Sequence, residues 1–327
     1  MSSNRLTLYI LLLTTFVACS SAPITANRLS CDSIPEGAQR LIAAYPDHVV
    51  GYEDNMIIFS DGSRMVYDDG KKRTIDEMHL EQDVEEIFYQ EYDKGVYPPP
   101  YGYDPGRYRC AAFYGKIYGN TREEVVQNLV YVNWCPKHGA QPVLFTKVAG
   151  AAEALQRVSD ELDECPELKE WVLNAQTFNW RTIQGMKRLS PHGYGIAIDL
   201  EAYRSHYWKW TYPRAEEHAV MKYHNTFNMK VVEIFERHGF IWGGRWYHFD
   251  TMHFEYRPEM NMPEYGIKAT TPKVITAKKP DPKLERRFYY KVFKEHKHGN
   301  YEEQLRAEFY SRVFKTTYHE ERKRLVK

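Results

Sequence analysis

Ser190-Pro191-His192-Gly193-Tyr194-Gly195-Ile196-Ala197-Ile198-Asp199 sets an imidazole and a carboxylate seven positions apart, and His248-Phe249-Asp250-Thr251-Met252-His253 answers it about fifty residues later. His192, Asp199 and His253 together offer the mixed nitrogen and oxygen ligand set that catalytic zinc uses, with a fourth position left open. Two neutral imidazoles and one carboxylate leave a divalent cation with roughly one positive charge, enough to bring the pKa of bound water toward ~7 and to polarise a carbonyl. A further carboxylate beside that water can take its proton and pass it to a leaving amine. Asp250 and Glu255 are both candidates for this role.

The local pattern supports a turn followed by a buried strand. Gly193 and Gly195 supply backbone freedom between the two ligands. Ile196-Ala197-Ile198-Asp199-Leu200 then reads as a buried strand, where an aspartate is costly without a cation or a donor. Strand alternation puts His253 on one face with Glu255, and His248 with Asp250 on the other. Asp250 therefore reaches the same centre as His253 only if a bulge or turn falls between them.

The pattern Ser-x-His-x6-Asp followed by Asp-x-x-His resembles the M15 family of zinc peptidases, the D-alanyl-D-alanine carboxypeptidases and L-alanyl-D-glutamate endopeptidases that cut peptidoglycan stem peptides. Thr177-Phe178-Asn179-Trp180-Arg181 and Gly239-Phe240-Ile241-Trp242-Gly243-Gly244 are similar to the family in the same way, and the likeness covers roughly residues 150 to 262. It implies that His192, Asp199 and His253 bind one Zn2+ ion and that Asp250 is the base. It also implies that Arg181 forks onto a carboxylate or steadies an oxyanion, and that Ser190 contacts substrate. A serine before a ligand is equally a turn residue. His248 is a further substrate-side donor or an exposed strand histidine.

The rest of the chain bounds this reading. With 327 residues, 43% of them hydrophobic, and a formal net charge of zero, it has the composition of a globular protein and gives no support to nucleic-acid binding. Arg5 and the apolar run Leu6 to Val17 read as an export signal too short for a membrane span. Phe16-Val17-Ala18-Cys19 resembles a lipoprotein cleavage box, with lipidated Cys19 as the membrane attachment; ordinary cleavage near Ala22 or Ala26 is the alternative. Cys31, Cys110, Cys135 and Cys165 permit two disulfides, and Cys110 with Cys135 is the expected pair. No CxxC cluster is present, which argues against a thiolate zinc site.

The expected fold is α+β, an antiparallel sheet flanked by helices in the small zinc-peptidase fold that the resemblance implies. Met56 to Tyr67 reads as a hairpin turning at Asp61-Gly62. Leu155, Val158 and Leu162 mark one helical face ended by Pro166, and Phe227, Val231, Ile234 and Phe235 mark another closed by Gly239. The expected organisation is a signal at 1–26, an N-terminal mixed region at 27–145, the peptidase domain at 146–268, and a linker with a basic helical tail at 269–327. That tail carries about +7 from Lys278 onward. The reading is an exported, periplasmic or envelope zinc peptidase acting on peptidoglycan peptides, with a lean toward D-alanyl-D-alanine carboxypeptidase. The alternatives are an L-alanyl-D-glutamate-type endopeptidase or a catalytically weak wall-binding envelope lipoprotein.

Overall fold

Period-two and period-3.6 hydrophobic patterns alternate along the chain, and the computed structural model, which describes residues 34–183 and 186–263, turns them into helices and antiparallel sheets. The protein is α+β. The expected signal at 1–26, Cys19, Cys31 and the expected linker and basic tail at 269–327 lie outside the described residues.

Among the described residues three sheets appear in chain order. β1 (Val49–Glu53), β2 (Met56–Phe59) and β3 (Arg64–Val66) form an antiparallel meander. Its second turn falls at Asp61-Gly62, where Gly62 takes a φ of 80° and the Asp61 carboxylate accepts from the Ser63 amide at 3.0 Å. β4 (Leu129–Val132) pairs with β5 (Val143–Thr146). The third sheet has the order β6 (Ala175–Gln176), β7 (Ala197–Leu200), β9 (His253–Tyr256), β8 (Phe240–Trp242), all antiparallel.

The helix Ala151–Asp163 buries Leu155, Val158 and Leu162 along one stripe, as their spacing demands. Each contributes at most about 1.5–3 kcal/mol of burial relative to an exposed side chain. It stops three residues before Pro166, since the residue preceding a proline is driven out of the helical region. A second helix, Met229–Arg237, starts at Asn228, whose side chain accepts from the Lys230 amide at 3.0 Å. Phe227 thus precedes this helix, although its ring packs on Phe254 of β9 at 5.7 Å. Phe235 stacks on the same ring at 4.1 Å, fastening the helix to the sheet. Gly239 closes it with a φ of 88°, where a Cβ would meet Pro263 at 2.9 Å.

One apolar core runs from Ala38, Leu41 and Ile57 through Phe113, Trp134 and Leu155 to Phe240 and Phe254. The cysteines in it correct the disulfide expectation, because Cys110, Cys135 and Cys165 are free thiols. Cys110 stands at the start of the helix Ala111–Tyr118. Cys135 sits against a different helix, its amide donating to Ser159 Oγ at 2.7 Å and its sulfur 3.9 Å from the Ser159 carbonyl. Both behave as small buried hydrophobes, and burial pushes both thiols up from their ordinary pKa.

Candidate metal centre and its surroundings

β7 and β9 do most of the assembly. Their register places Asp199 opposite His253 and Ala197 opposite Glu255. Cross-strand partners on one face stand about 4.5–5.5 Å apart at Cβ. The Asp199 carboxylate consequently lies 2.7 Å from His253 Nδ1. His192 arrives from the short helix Pro191–Tyr194, which Gly195 ends at a φ of 72° before the chain enters β7. A Cβ on Gly195 would meet Leu129 at 2.6 Å; Gly193 is helical, but a Cβ there would meet Leu189 at 2.6 Å. His192 Nε2 ends 3.2 Å from Asp199 Oδ1 and 3.3 Å from His253 Nδ1.

The outer hydrogen bonds fix which ring nitrogens face inward. His192 Nδ1 lies 2.7 Å from the Thr177 carbonyl, an acceptor, so it carries the proton there and Nε2 presents a lone pair. His253 Nε2 lies 2.9 Å from the Glu255 carboxylate, so in the neutral ring its Nδ1 likewise faces inward as a lone pair. Two lone pairs and a carboxylate converge with no donor among them. A cation or a proton must fill the gap. Tetrahedral ligands at ~2.0–2.1 Å from zinc stand roughly 3.3–3.4 Å from one another, close to two of the three separations here. The donor set and its spacing fit zinc. In the metal-free protein a proton does the same work. Burial opposes a charge on His253, but hydrogen bonds and attraction from Asp199 and Glu255 prevail and push its pKa up to about 10.

A turn at Thr251-Met252 separates Asp250 from β9, with the His253 amide donating to the Asp250 carbonyl at 3.1 Å. This break in alternation lets Asp250, bridged to Tyr207, approach the same centre. Its buried Oδ1 has no hydrogen-bond partner. Burial pushes its carboxyl pKa up to about 7; the negative charges of Asp199 and Glu255 add to this, while His253 and Arg181 pull the other way. Arg181 lies near enough to act on Asp250 and has a buried, unpartnered Nε. Ser190 is buried immediately before the His192 helix, its amide donating to the Arg181 carbonyl at 2.9 Å.

Glu255, the other candidate base, is fully buried and engaged on both oxygens. Arg109 grips it through Nε at 3.0 Å and through Nη2, and Arg257 Nη1 stands 3.4 Å away. Burial disfavours its charge, but Arg109, His253 and Arg257 more than offset this and hold its pKa well below the usual carboxylate range. It orients His253. His248 does not join the triad. Its Nδ1 lies 2.7 Å from Asp104 Oδ2 and its Nε2 2.8 Å from the Glu217 carbonyl. Asp104, Glu217 and His248 also have metal-ligand types within reach of one another, but Arg107 Nη1 already occupies their midst, at 3.1 Å, 2.6 Å and 2.8 Å.

Sequence reasoning missed Arg109, Asp104, Arg107 and Glu217. The one usable signal was parity, since Glu255 and His253 share a face of β9. Residues 184–256 match the family model for D-alanyl-D-alanine carboxypeptidase in peptidase family M15. No curated protein and no solved structure matches the chain. The match spans His192, Asp199, Asp250 and His253, so the stretch 184–256 is similar to part of the M15 peptidase domain.

Proposed function

We propose that the protein is a zinc peptidase that hydrolyses peptidoglycan stem peptides, acting as a D-alanyl-D-alanine carboxypeptidase. The observation that carries this reading is the convergence of His192 Nε2, His253 Nδ1 and Asp199 Oδ1, all acceptors and all within 3.3 Å of one another. These three would hold the ion. When bound, zinc supplies the positive charge that polarises an amide carbonyl and acidifies water.

The protein's own groups do the rest. Thr177 and Glu255 hold the two imidazoles in their inward-facing tautomers. Asp250, whose buried Oδ1 has no hydrogen-bond partner, accepts a proton from the attacking water. It returns that proton to the amide nitrogen as the C–N bond breaks, giving a carboxylic acid and an amine, and the acid's proton then passes to the amine to leave a carboxylate and an ammonium. Arg181, beside Asp250, steadies the negative charge that develops on the carbonyl oxygen. A substrate of this class lies outside the cytoplasm, in keeping with the export signal and lipoprotein box read in residues 1–26.

Purified stem peptides incubated with zinc-loaded protein, with and without a chelator, test the reading by mass spectrometry. Loss of one terminal alanine that stops on chelation is expected. Unchanged peptides in the presence of zinc would refute it.

A further inference from the structure

The turn leading into His192 carries two arginines. Thr182 and Leu189 form an antiparallel bridge, the Ile183 amide donating to the Arg188 carbonyl at 3.0 Å and the Ser190 amide to that of Arg181 at 2.9 Å. Arg181 thus stands opposite Ser190, and Ile183 opposite Arg188. Alternation puts both arginines and the serine on one face of the turn.

Their surroundings differ. Arg181 acts on Asp250 and on Tyr207. Arg188 is near Arg109, Arg107, Glu255 and Glu217. Those four are already engaged with each other or their neighbours, since Arg109 holds Glu255 while Arg107 holds Glu217 and Asp104. Arg188 has no such partner for its buried Nε and Nη1. Burial, with repulsion from Arg109 and Arg107, brings its pKa down to about 9, which leaves it charged at neutral pH. The nearby carboxylates are taken up by Arg107 and Arg109, so the desolvated donors of Arg188 lack an acceptor of their own.

We propose that Arg188 receives the free C-terminal carboxylate of the substrate peptide, leaving Arg181 for the scissile carbonyl. This rests on the peptidase reading above and sharpens it. A planar carboxylate matches the guanidinium fork. A peptide that continued past the cleaved bond would put a neutral amide where Arg188 requires an anion. The site therefore selects removal of one terminal residue over internal cleavage.

The probes are N-acetyl-L-lysyl-D-alanyl-D-alanine and its C-terminal carboxamide. Binding is measured by calorimetry on zinc-loaded Asp250→Asn protein, and hydrolysis on zinc-loaded protein with Asp250 intact. The acid is expected to bind about 30-fold or more tighter than the amide, because a site built for a charged partner rejects its neutral analogue strongly. Arg188→Met should erase that preference and lower kcat/KM for the acid about 100-fold, with the amide's rate hardly changed; Arg188→Lys should keep part of the preference. Arg188→Met should also melt no lower than the parent protein, since it removes a guanidinium that has lost water and gained no acceptor. Equal binding of acid and amide by the Arg188 protein, or an equal loss for both probes in Arg188→Met, overturns the proposal. If the acid is preferred in binding but neither probe is cleaved, the carboxylate site stands and the peptidase reading fails.

Discussion

Arg109→Met would remove the cation that keeps Glu255 ionised and aimed at His253. Glu255 is fully buried and takes two hydrogen bonds from Arg109. Its other guanidinium contact, Arg257 Nη1, is at 3.4 Å, and Arg257 is itself tied to Glu259 and the Gly106 carbonyl. Breaking a buried pair from one side costs about 3–5 kcal/mol, and loss of a group orienting a metal-ligating histidine lowers metal affinity about 10–100-fold. Urea unfolding at pH 7.5 and zinc competition against a chromophoric chelator read the two effects. Because the folded pKa of Glu255 is depressed, the pair stabilises above the ordinary carboxylate range and loses its effect as pH falls below it, so the difference between the two proteins should shrink in acid. The double variant Arg109→Met, Glu255→Gln should recover part of the stability, since no charge is left stranded. A loss under about 1 kcal/mol together with zinc affinity within about threefold would refute the coupling of Arg109 to the centre.

Asp250→Asn should abolish hydrolysis yet stabilise the metal-free protein. The folded carboxyl has its pKa raised from 3.8 to about 7, so the penalty for ionising it is absent in acid, grows between these values and is complete above them. At about 1.4 kcal/mol per pH unit, discounted for partial exposure, the gain at pH 8 is about 2–3 kcal/mol, to be read by thermal or urea unfolding in chelator. A variant less stable than its parent at pH 8 would contradict this. Zinc uptake at pH 7.5 should release about one proton, because the His253 pKa of about 10 means that the metal displaces a proton; calorimetry in buffers of different ionisation enthalpy counts it. No proton release would mean that His253 is not a ligand. Denatured protein should react with thiol reagent at Cys110, Cys135 and Cys165 without prior reduction; failure at Cys110 and Cys135 would restore the disulfide.

What sequence could and could not reveal follows the range of the interactions. The spacing of His192 and Asp199 is local, because a helical turn, Gly195 and one strand carry the chain from one to the other. The strand alternation of β9 already set His253 beside Glu255, and it also required the break that the Thr251-Met252 turn supplies for Asp250. Helix faces at Leu155, Val158 and Leu162 were equally legible from spacing. Arg109 was not, since it meets Glu255 across 146 positions and lies in the stretch Arg107-Tyr108-Arg109, which has no periodicity or motif. The cysteine expectation failed for a related reason. Even cysteine counts suggest pairing, but they carry no information on which elements the thiols pack against, and Cys135 packs against Ser159.

Zinc stoichiometry is the measurement closest to the central claim. Protein equilibrated with excess zinc and passed through a desalting column should retain one ion per chain. Separate His192→Ala, Asp199→Ala and His253→Ala variants, each folded by circular dichroism, should retain none. Stoichiometric retention in all three variants, or no retention by the protein with all three residues intact, would contradict a single centre built from these side chains.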